Sequence, residues 1–217
     1  MKLPVIQGLI RRRILANFRV DPEVMQRQLP PRFRPKLQRG FAVAGICLIR
    51  LEHIRPRFVP EVVGMNSENA AHRVAVLWDD EGVTREGVFI SRRDTNSQLN
   101  HLLGGRIFPG EHHQSSFSIK ESDSGINFSL ESADSDLVVK LEAATANALP
   151  ATSIFSSLAE ASAFFEARVA WLFSDPRSKT AGWLELKNER MAGRTPPRHQ
   201  RTLQLLFRRS KVSAGQH

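Results

Sequence analysis

The sequence contains few of the features that mark many familiar classes of protein. Cys47 is the single cysteine among 217 residues, which excludes an intrachain disulfide and a thiolate metal cluster. No apolar run reaches the roughly 20 residues that a membrane-spanning helix needs. The arginines at positions 11–13 follow the first apolar residues, the reverse of the order in a secretory signal. We therefore expect a cytoplasmic protein without a membrane segment, with Cys47 packed as a small apolar residue.

Motifs that bind nucleotides or activate a serine are also missing. The chain has no Walker loop, no GxGxxG turn and no GxSxG motif, so nothing supports a nucleotide-binding, dinucleotide-binding or serine-hydrolase function. His101, His112 and His113 lie close together in the sequence. Neither HxH nor HExxH spacing is present, and adjacent histidines on a strand point in opposite directions, so we expect no metal site and no cofactor.

Charge is plentiful but unevenly distributed, within a formal net charge of +9. Residues 1–60 hold 13 Lys+Arg and 3 Asp+Glu, residues 61–186 hold 10 and 18, and residues 187–217 hold 8 and 1. Basic ends could contact the phosphates of a nucleic acid. However, the N-terminal arginines are spread through ordered segments, and net charge bears on solubility more than on fold. These features disfavour a nucleic-acid partner and predict one domain over residues 1–190, followed by a flexible basic tail over residues 191–217.

The first part of the chain predicts a strand, a short helix and a turn. Apolar residues recur at every second position through Ile14, Ala16 and Phe18, as on a strand. Asp21 stands where an N-cap belongs and Pro22 where the first helical residue belongs. Two prolines at positions 30–31 then end the helix.

The rest of the chain predicts further strands with a few helices. Its clearest signals are a hairpin around Ser124-Gly125 and a capping box, Ser157 with Glu160, which begins an amphipathic helix that runs to Asp175. Further strands are expected at residues 41–56, 72–78, 87–91, 136–144 and 183–186, loops at 54–66 and 106–113, and a helix at 96–103 that ends at Gly104-Gly105. The sum is an α+β fold with many antiparallel strands.

The order of these elements resembles a known superfamily. The opening RRRILANFRVDPEVMQRQLPPRF is similar to that of acetoacetate-decarboxylase-like proteins, in which a strand ending in an aromatic-Arg-x-Asp step leads to a short helix. FAVAGICLIRL, a loop with Glu68, HRVAVLW, EGVFISRRD and the capped SSLAEASAFF helix continue in the same order. Within the superfamily the chain most resembles an uncharacterised conserved family, domain of unknown function 2071, over about residues 10–190. The resemblance implies a mixed, mostly antiparallel β-barrel or cone that encloses a small-molecule cavity, with flanking helices outside.

The lysine on which the superfamily's known chemistry depends has no counterpart here. Acetoacetate decarboxylase forms a Schiff base between a lysine and a β-keto acid. No lysine stands between Lys36 and Lys120, and an arginine cannot replace it, because guanidinium stays protonated. We therefore expect no lysine-dependent decarboxylation unless Lys120 or Lys140 reaches the pocket from another strand. Whether the protein is an enzyme stays open.

Polar residues around the GVFIS strand are the first candidates for a site. The resemblance places Glu86 and Asp94 where the superfamily has acidic pocket residues, and both are candidate catalytic groups. Strand alternation puts Arg92 and Asp94 on one face with Val88 and Ile90. There Arg92 could bind a carboxylate or carbonyl ligand while Asp94 holds it in place. A simple salt bridge at the end of a strand is the competing interpretation.

Three further residues complete the candidate set. Glu68 and His72 are four positions apart and point the same way on a strand, so they could bind a ligand or serve as acid and base. Capping of a loop and its following strand is the competing interpretation. Arg11 matches the position of a superfamily arginine that meets substrate. We expect a small acidic or carbonyl-bearing ligand, while a structural or protein-interaction role, nucleic-acid association through the basic ends, and a homo-oligomer stay open.

Overall fold

A curled, mixed and mostly antiparallel sheet forms the body of the protein. The computed structural model describes residues 6–98, 111–134, 137–166, 170–174 and 181–185. The main strand order is β1-β4-β5-β6-β7-β8-β9, and β6 is parallel to β7 and β10 while its pairing with β5 is antiparallel. The strands are β1 Ile6–Val20, β2 Arg34–Pro35, β3 Leu37–Gln38, β4 Phe41–Pro56, β5 Met65–Asp80, β6 Val83–Thr95, β7 Glu111–Ser122, β8 Gly125–Ser132, β9 Val138–Ala144, β10 Ala170–Ser174 and β11 Ala181–Glu185. The helices are α1 Pro22–Gln28 and α2 Leu158–Glu166, with a 3-10 turn at Glu61–Val63.

The two faces of the β1-β4-β5-β6 sheet are covered by different parts of the chain. On what we call the inner face, Ile14, Leu48 and Ala70 pack against buried side chains of β8 and β9. The hairpin that follows β6 therefore folds back over the sheet, as in a cone, although the described strands do not close into a full barrel. On the outer face, Cys47 and Ala71 form one apolar cluster, and α2 packs against neighbouring positions.

Several local sequence signals agree with the structure. The Asp21 carboxylate accepts hydrogen bonds from the backbone N–H groups of Glu23 and Val24, at 2.9 and 3.1 Å. The predicted hairpin is formed by β7 and β8, which pair from Ser122 with Gly125 outward. Ser157 accepts from the Glu160 backbone N–H at 3.1 Å, as a capping box requires. Cys47 is buried, as expected of a small apolar residue.

The structure differs from the sequence-based prediction in three places. The capped helix ends at Glu166, and residues 170–174 form β10 instead of continuing the helix to Asp175. The backbone of β10 pairs with the edge of β6 at Val88 and Phe89. An unpaired strand edge exposes backbone N–H and C=O groups that favour pairing with another strand, and the helical periodicity of the sequence does not reveal this. Glu68 lies within β5 and not in a loop, and residues 111–113 begin β7. The predicted helix at 96–103 and the tail at 191–217 lie outside the described residues, apart from 96–98.

No helix among the described residues is long and apolar enough to cross a membrane.

We expect Asp21→Ala to lower the free energy of unfolding by about 1 kcal/mol, because two backbone N–H groups of α1 lose their acceptor. Urea denaturation of the variant and the parent protein measures the difference. Gln28→Ala is the matched control, since this exposed residue at the other end of α1 makes no capping contact. An equal loss in both variants would contradict the capping role.

Candidate functional site

A β-bulge in β6 decides which polar side chains meet on the inner face. His72 pairs with Arg92 and Arg73 pairs with Ile90, so Ser91 is an extra residue that has no partner on β5. A single extra residue reverses the alternation of side chains beyond it. Arg92 therefore lies with His72 on the inner face, whereas Ile90 belongs to the outer apolar cluster. The prediction that Arg92 and Asp94 share a face with Val88 and Ile90 is wrong for this reason.

Asp94 is the centre of a buried hydrogen-bond network on the inner face. Its side chain is 0% exposed, and its carboxylate accepts from His72 Nε2 at 3.0 Å and from Ser115 Oγ at 2.9 Å. Arg92 donates from Nε and Nη2 to the same carboxylate over 3.0 to 3.2 Å. The side chains of His72 and Arg92 are 19% and 18% exposed, so both reach outward from a buried anchor.

The protonation state of this centre follows from its contacts. Burial by itself would raise the pKa of Asp94, but hydrogen bonds from His72, Arg92 and Ser115 outweigh it and the pKa is lowered from the ordinary value of 3.8. An ionised carboxylate only accepts hydrogen bonds, so His72 Nε2 carries the proton that it donates. In the neutral ring, Nδ1 is then the nitrogen with a free lone pair.

The network continues from Arg92 to the ends of β7 and β8. Arg92 Nη2 donates to Ser132 Oγ at 2.5 Å and to the carboxylate of Asp134 at 3.1 Å. His113 Nδ1 lies 2.6 Å from the same Asp134 carboxylate. A cleft of about 320 Å³ opens here, and it is lined by His112, His113, Gln114, Ala133 and Asp134. One end of the network thus faces an open cleft, while the other end, at Asp94, is buried.

A second charged group lies beside this network on the same face. The carboxylate of Glu68 accepts from Arg12 Nη2 at 2.6 Å and from Arg50 Nη1 at 3.0 Å. Glu68 and His72 lie on the same face of β5, as the sequence predicted, but each is bound to other partners. The structure does not join them as an acid-base pair, because Glu68 is held by two arginines and His72 by Asp94.

Arg12, and not Arg11, is the first-strand arginine that enters this charged group. Arg12 lies two residues before the buried Ile14, on the same face, and its side chain is 9% exposed, whereas Arg11 stands at a register shift between Ile10 and Arg12 and is exposed. The period-two pattern through Ile14 already puts Arg12 on the buried side, so the sequence contained this signal.

Glu86 lies apart from the other candidate residues. Its carboxylate pairs with Lys36 Nζ at 2.8 Å, and the same ammonium lies 4.5 Å from the centre of the Phe164 ring. Phe164 packs with the outer-face cluster. In a regular strand Glu86, Arg92 and Asp94 would share one face, because even numbers of positions separate them. The bulge at Ser91 instead puts Glu86 on the face opposite to Arg92 and Asp94.

Four residues that the sequence did not suggest for this site complete the network: Ser115, Ser132, His113 and Asp134. Their contacts depend on the parallel pairing of residues 92–95 with residues 111–114. No local sequence pattern predicts this pairing. Within the described ranges, no three His, Cys, Asp or Glu side chains are grouped as a metal ion would need. His101 lies outside those ranges.

We expect Asp94→Asn to lower the free energy of unfolding at pH 7 by about 3 kcal/mol, because His72 and Arg92 lose a buried anionic partner. The folded-state pKa of Asp94 is lowered, so its contribution is complete above the ordinary pKa of 3.8 and is lost as the pH falls through the folded value. Urea denaturation at pH 7 and pH 3 should therefore show a difference from the parent protein that narrows at the lower pH.

Asp79→Asn is the matched control for this measurement. Asp79 also pairs with an arginine, Arg34, at 2.8 Å, but its side chain is 61% exposed, so we expect only a small change. Equal effects of the two substitutions would contradict a buried structural role for Asp94.

Comparison with solved structures supports the fold. An acetoacetate decarboxylase from Legionella pneumophila superposes with a TM-score of 0.51 at 15% identity, over 78% of this chain and 58% of that one. The enduracididine biosynthesis enzyme MppR complexed with pyruvate gives a TM-score of 0.49 at 11% identity, over 79% and 65%. An acetoacetate decarboxylase-like enzyme from Sphingomonas wittichii gives 0.47 at 12% identity, over 79% and 67%. The chain thus spans less than two thirds of the first two proteins.

No curated protein matches the chain. A family model does match, over residues 9–186, and its description is an uncharacterized conserved protein, domain of unknown function 2071. Since this match covers most of the sequence, the chain belongs to that family, and its fold is of the acetoacetate-decarboxylase type.

Proposed function

We propose that the inner-face network binds a small molecule that carries a carboxylate and a carbonyl group, and that His72 is its acid-base group. The observation that carries this proposal is the contrast in burial within one network. Asp94 is wholly buried, while His72 and Arg92, which it holds, are each about one fifth exposed. A buried carboxylate that orients a partly exposed histidine is an arrangement suited to proton transfer.

Arg92 is the proposed ligand-binding group. Its Nε and Nη2 atoms are occupied by Asp94, Ser132 and Asp134, whereas its Nη1 atom makes no hydrogen bond in the described part of the chain. The two N–H groups of Nη1 are therefore open to a ligand oxygen. His72 stands directly across from Arg92 on the neighbouring strand, where paired side chains are close enough to act on one small molecule.

Asp94 serves in this proposal as a positioning residue. Both of its oxygens already accept hydrogen bonds from His72, Arg92 or Ser115, and it has no exposed surface on which a ligand could lie. It fixes the ring of His72 with Nδ1 as the free base. Asp94, which the sequence suggested as a catalytic residue, is therefore assigned a positioning role, and the acid-base role goes to the histidine that it holds.

A lysine imine has no part in this proposal. Among the described residues the lysines are Lys36, Lys120 and Lys140. Lys36 pairs with Glu86 on the outer face. Lys120 and Lys140 are exposed and alternate with residues that pack inward, such as Leu141. We instead propose that His72 Nδ1 takes a proton from the carbon next to a ligand carbonyl, and that Arg92 faces the negative charge that develops on oxygen.

The first test is binding of pyruvate, the simplest molecule with both groups, measured as a rise in Tm over the ligand-free protein. We expect pyruvate to raise the Tm more than acetate, which lacks the carbonyl, or acetone, which lacks the carboxylate. Arg92→Gln should lose the pyruvate-dependent rise relative to its own ligand-free Tm, and Glu86→Gln should keep it. If Glu86→Gln alone abolishes the rise, the site lies on the outer face and the proposal is wrong.

The second test is exchange of the pyruvate methyl protons for deuterium in D₂O, followed by proton NMR. A C–H bond breaks, the proton moves to His72, and a deuteron from the exchanged imidazolium returns to the same carbon. We expect exchange at least about 100-fold faster than in buffer, because general base catalysis contributes factors of this size. His72→Gln should reduce the rate to that of buffer while pyruvate still raises the Tm. An unchanged rate in His72→Gln would rule out the acid-base role.

A further inference from the structure

The outer face of the sheet carries a second concentration of positive charge. Arg73 on β5 and Arg93 on β6 both lie on this face, because Ala71 pairs with Arg93 across the two strands and is two residues from Arg73. Cys47, on β4, pairs with Ala71 from the other side. The two side chains therefore leave neighbouring strands on the side of the sheet opposite to Asp94 and His72.

Arg73 is buried, and the groups that the structure describes around it are neutral or positively charged. It is 8% exposed, it donates from Nη2 to Asn17 Oδ1, and its guanidinium lies 4.6 Å from the centre of the Phe165 ring. Its Nε atom is buried and has no hydrogen-bond partner. Arg13 on β1 is a further positive neighbour.

Gly45 explains how the Arg73 side chain reaches β1. Gly45 on β4 stands between Asn17 and Arg73 in the register of the three strands. A Cβ atom at this position would meet the Ala16 carbonyl oxygen at 2.1 Å, so the backbones approach each other here more closely than any other residue allows. The absence of a side chain leaves room for Arg73 to lie across β4 to Asn17.

The charge on Arg73 has no anionic partner among the described residues. The pKa of Arg73 is lowered to about 10, chiefly by burial and in part by Arg13, while Cys47 opposes the change. The group nevertheless stays protonated at pH 7. A buried charge without a counter-charge is costly. Two carboxylates on this side of the sheet are already bound, Glu86 by Lys36 and Glu160 by Gln38 and Ser156.

We propose that Arg73, with Asn17, forms a binding site for a small organic carboxylate on the outer face. Guanidinium groups bind carboxylates through paired N–H donors, and the unsatisfied Nε of Arg73 is one such donor. Apolar side chains of the same face, Leu15 and Ile90, border the position and suit the alkyl part of such a ligand. A single negative charge costs less to bury than the double charge of phosphate, which favours a carboxylate.

The test compares the Tm of the full-length protein with sodium butyrate, sodium phosphate or sodium chloride at equal ionic strength. We expect butyrate at about five times its Kd to raise the Tm by about 2–4 °C, and chloride to have no such effect. Arg73→Met removes the charge and keeps most of the side-chain length, and it should lose the butyrate effect. Arg19→Met is the matched control, since Arg19 is exposed over Phe41 and its loss changes the net charge equally.

Two results separate this site from the inner-face network. Arg92→Gln should keep the butyrate effect, because Arg92 lies on the opposite face, whereas Arg73→Met should keep the pyruvate-dependent proton exchange. Without ligand, Arg73→Met should have a Tm equal to or above that of the parent protein, because an uncompensated buried charge is gone. A fall of several degrees would show that a protein carboxylate pairs with Arg73, and it would overturn the proposal. A larger shift with phosphate than with butyrate would overturn the carboxylate assignment.

Discussion

The buried carboxylate of Asp94 is the interaction on which the inner face depends. It joins β5 through His72, its own strand through Arg92 and β7 through Ser115, and Arg92 extends the connection to Asp134 beyond β8. These strands meet where the sheet changes from antiparallel to parallel pairing. Antiparallel and parallel ladders have different backbone hydrogen-bond patterns, and here side-chain hydrogen bonds also tie the three strands together. A buried polar network stabilises a fold only if its polar atoms have hydrogen-bond partners, and both carboxylate oxygens of Asp94 accept hydrogen bonds.

The single extra residue at Ser91 gives the two faces their different chemistry. Before the bulge, alternate residues of β6 pack Phe89 inward and Ile90 outward. After it, Arg92 and Asp94 turn inward and Arg93 outward. The inner face has its positive and negative charges in matched pairs, whereas the outer face concentrates arginines beside an apolar cluster. Paired charges hold the groups of the inner face in place, whereas the buried guanidinium of Arg73, which has no anionic partner among the described residues, suits a site that holds an anion.

The sequence predicted those parts of the fold whose causes are local. The Asp21 cap, the hairpin at Ser124-Gly125 and the capping box at Ser157 each depend on residues a few positions apart, and all three were correctly placed. The end of α2 at Glu166 and the pairing of β10 with β6 depend on a distant strand edge, which no window of sequence contains.

The same division applies to the candidate site. His72, Arg92 and Asp94 could be named because they stand near recognisable strands. Their grouping could not be derived, since a bulge at Ser91 and contacts with His113 depend on tertiary pairing. Glu86 was grouped with Asp94 because the superfamily resemblance implies acidic pocket residues at both positions, and the bulge at Ser91 leaves Glu86 on the other face.

The Arg92 contacts also bear on how the chain folds. Arg92 donates hydrogen bonds to Ser132 and Asp134, which are 40 and 42 residues further along the chain. In contrast, β4 pairs with β5 and β5 with β6, and the strands of each pair are consecutive in the sequence. Contacts of long sequence separation carry a larger entropic cost of loop closure and generally form after local ones. The meander of β4 to β6 can therefore form first, with His72 and Arg92 side by side, and the cleft beside them exists only once the β7–β8 hairpin has docked. Completion of the fold and assembly of the cleft are then one event.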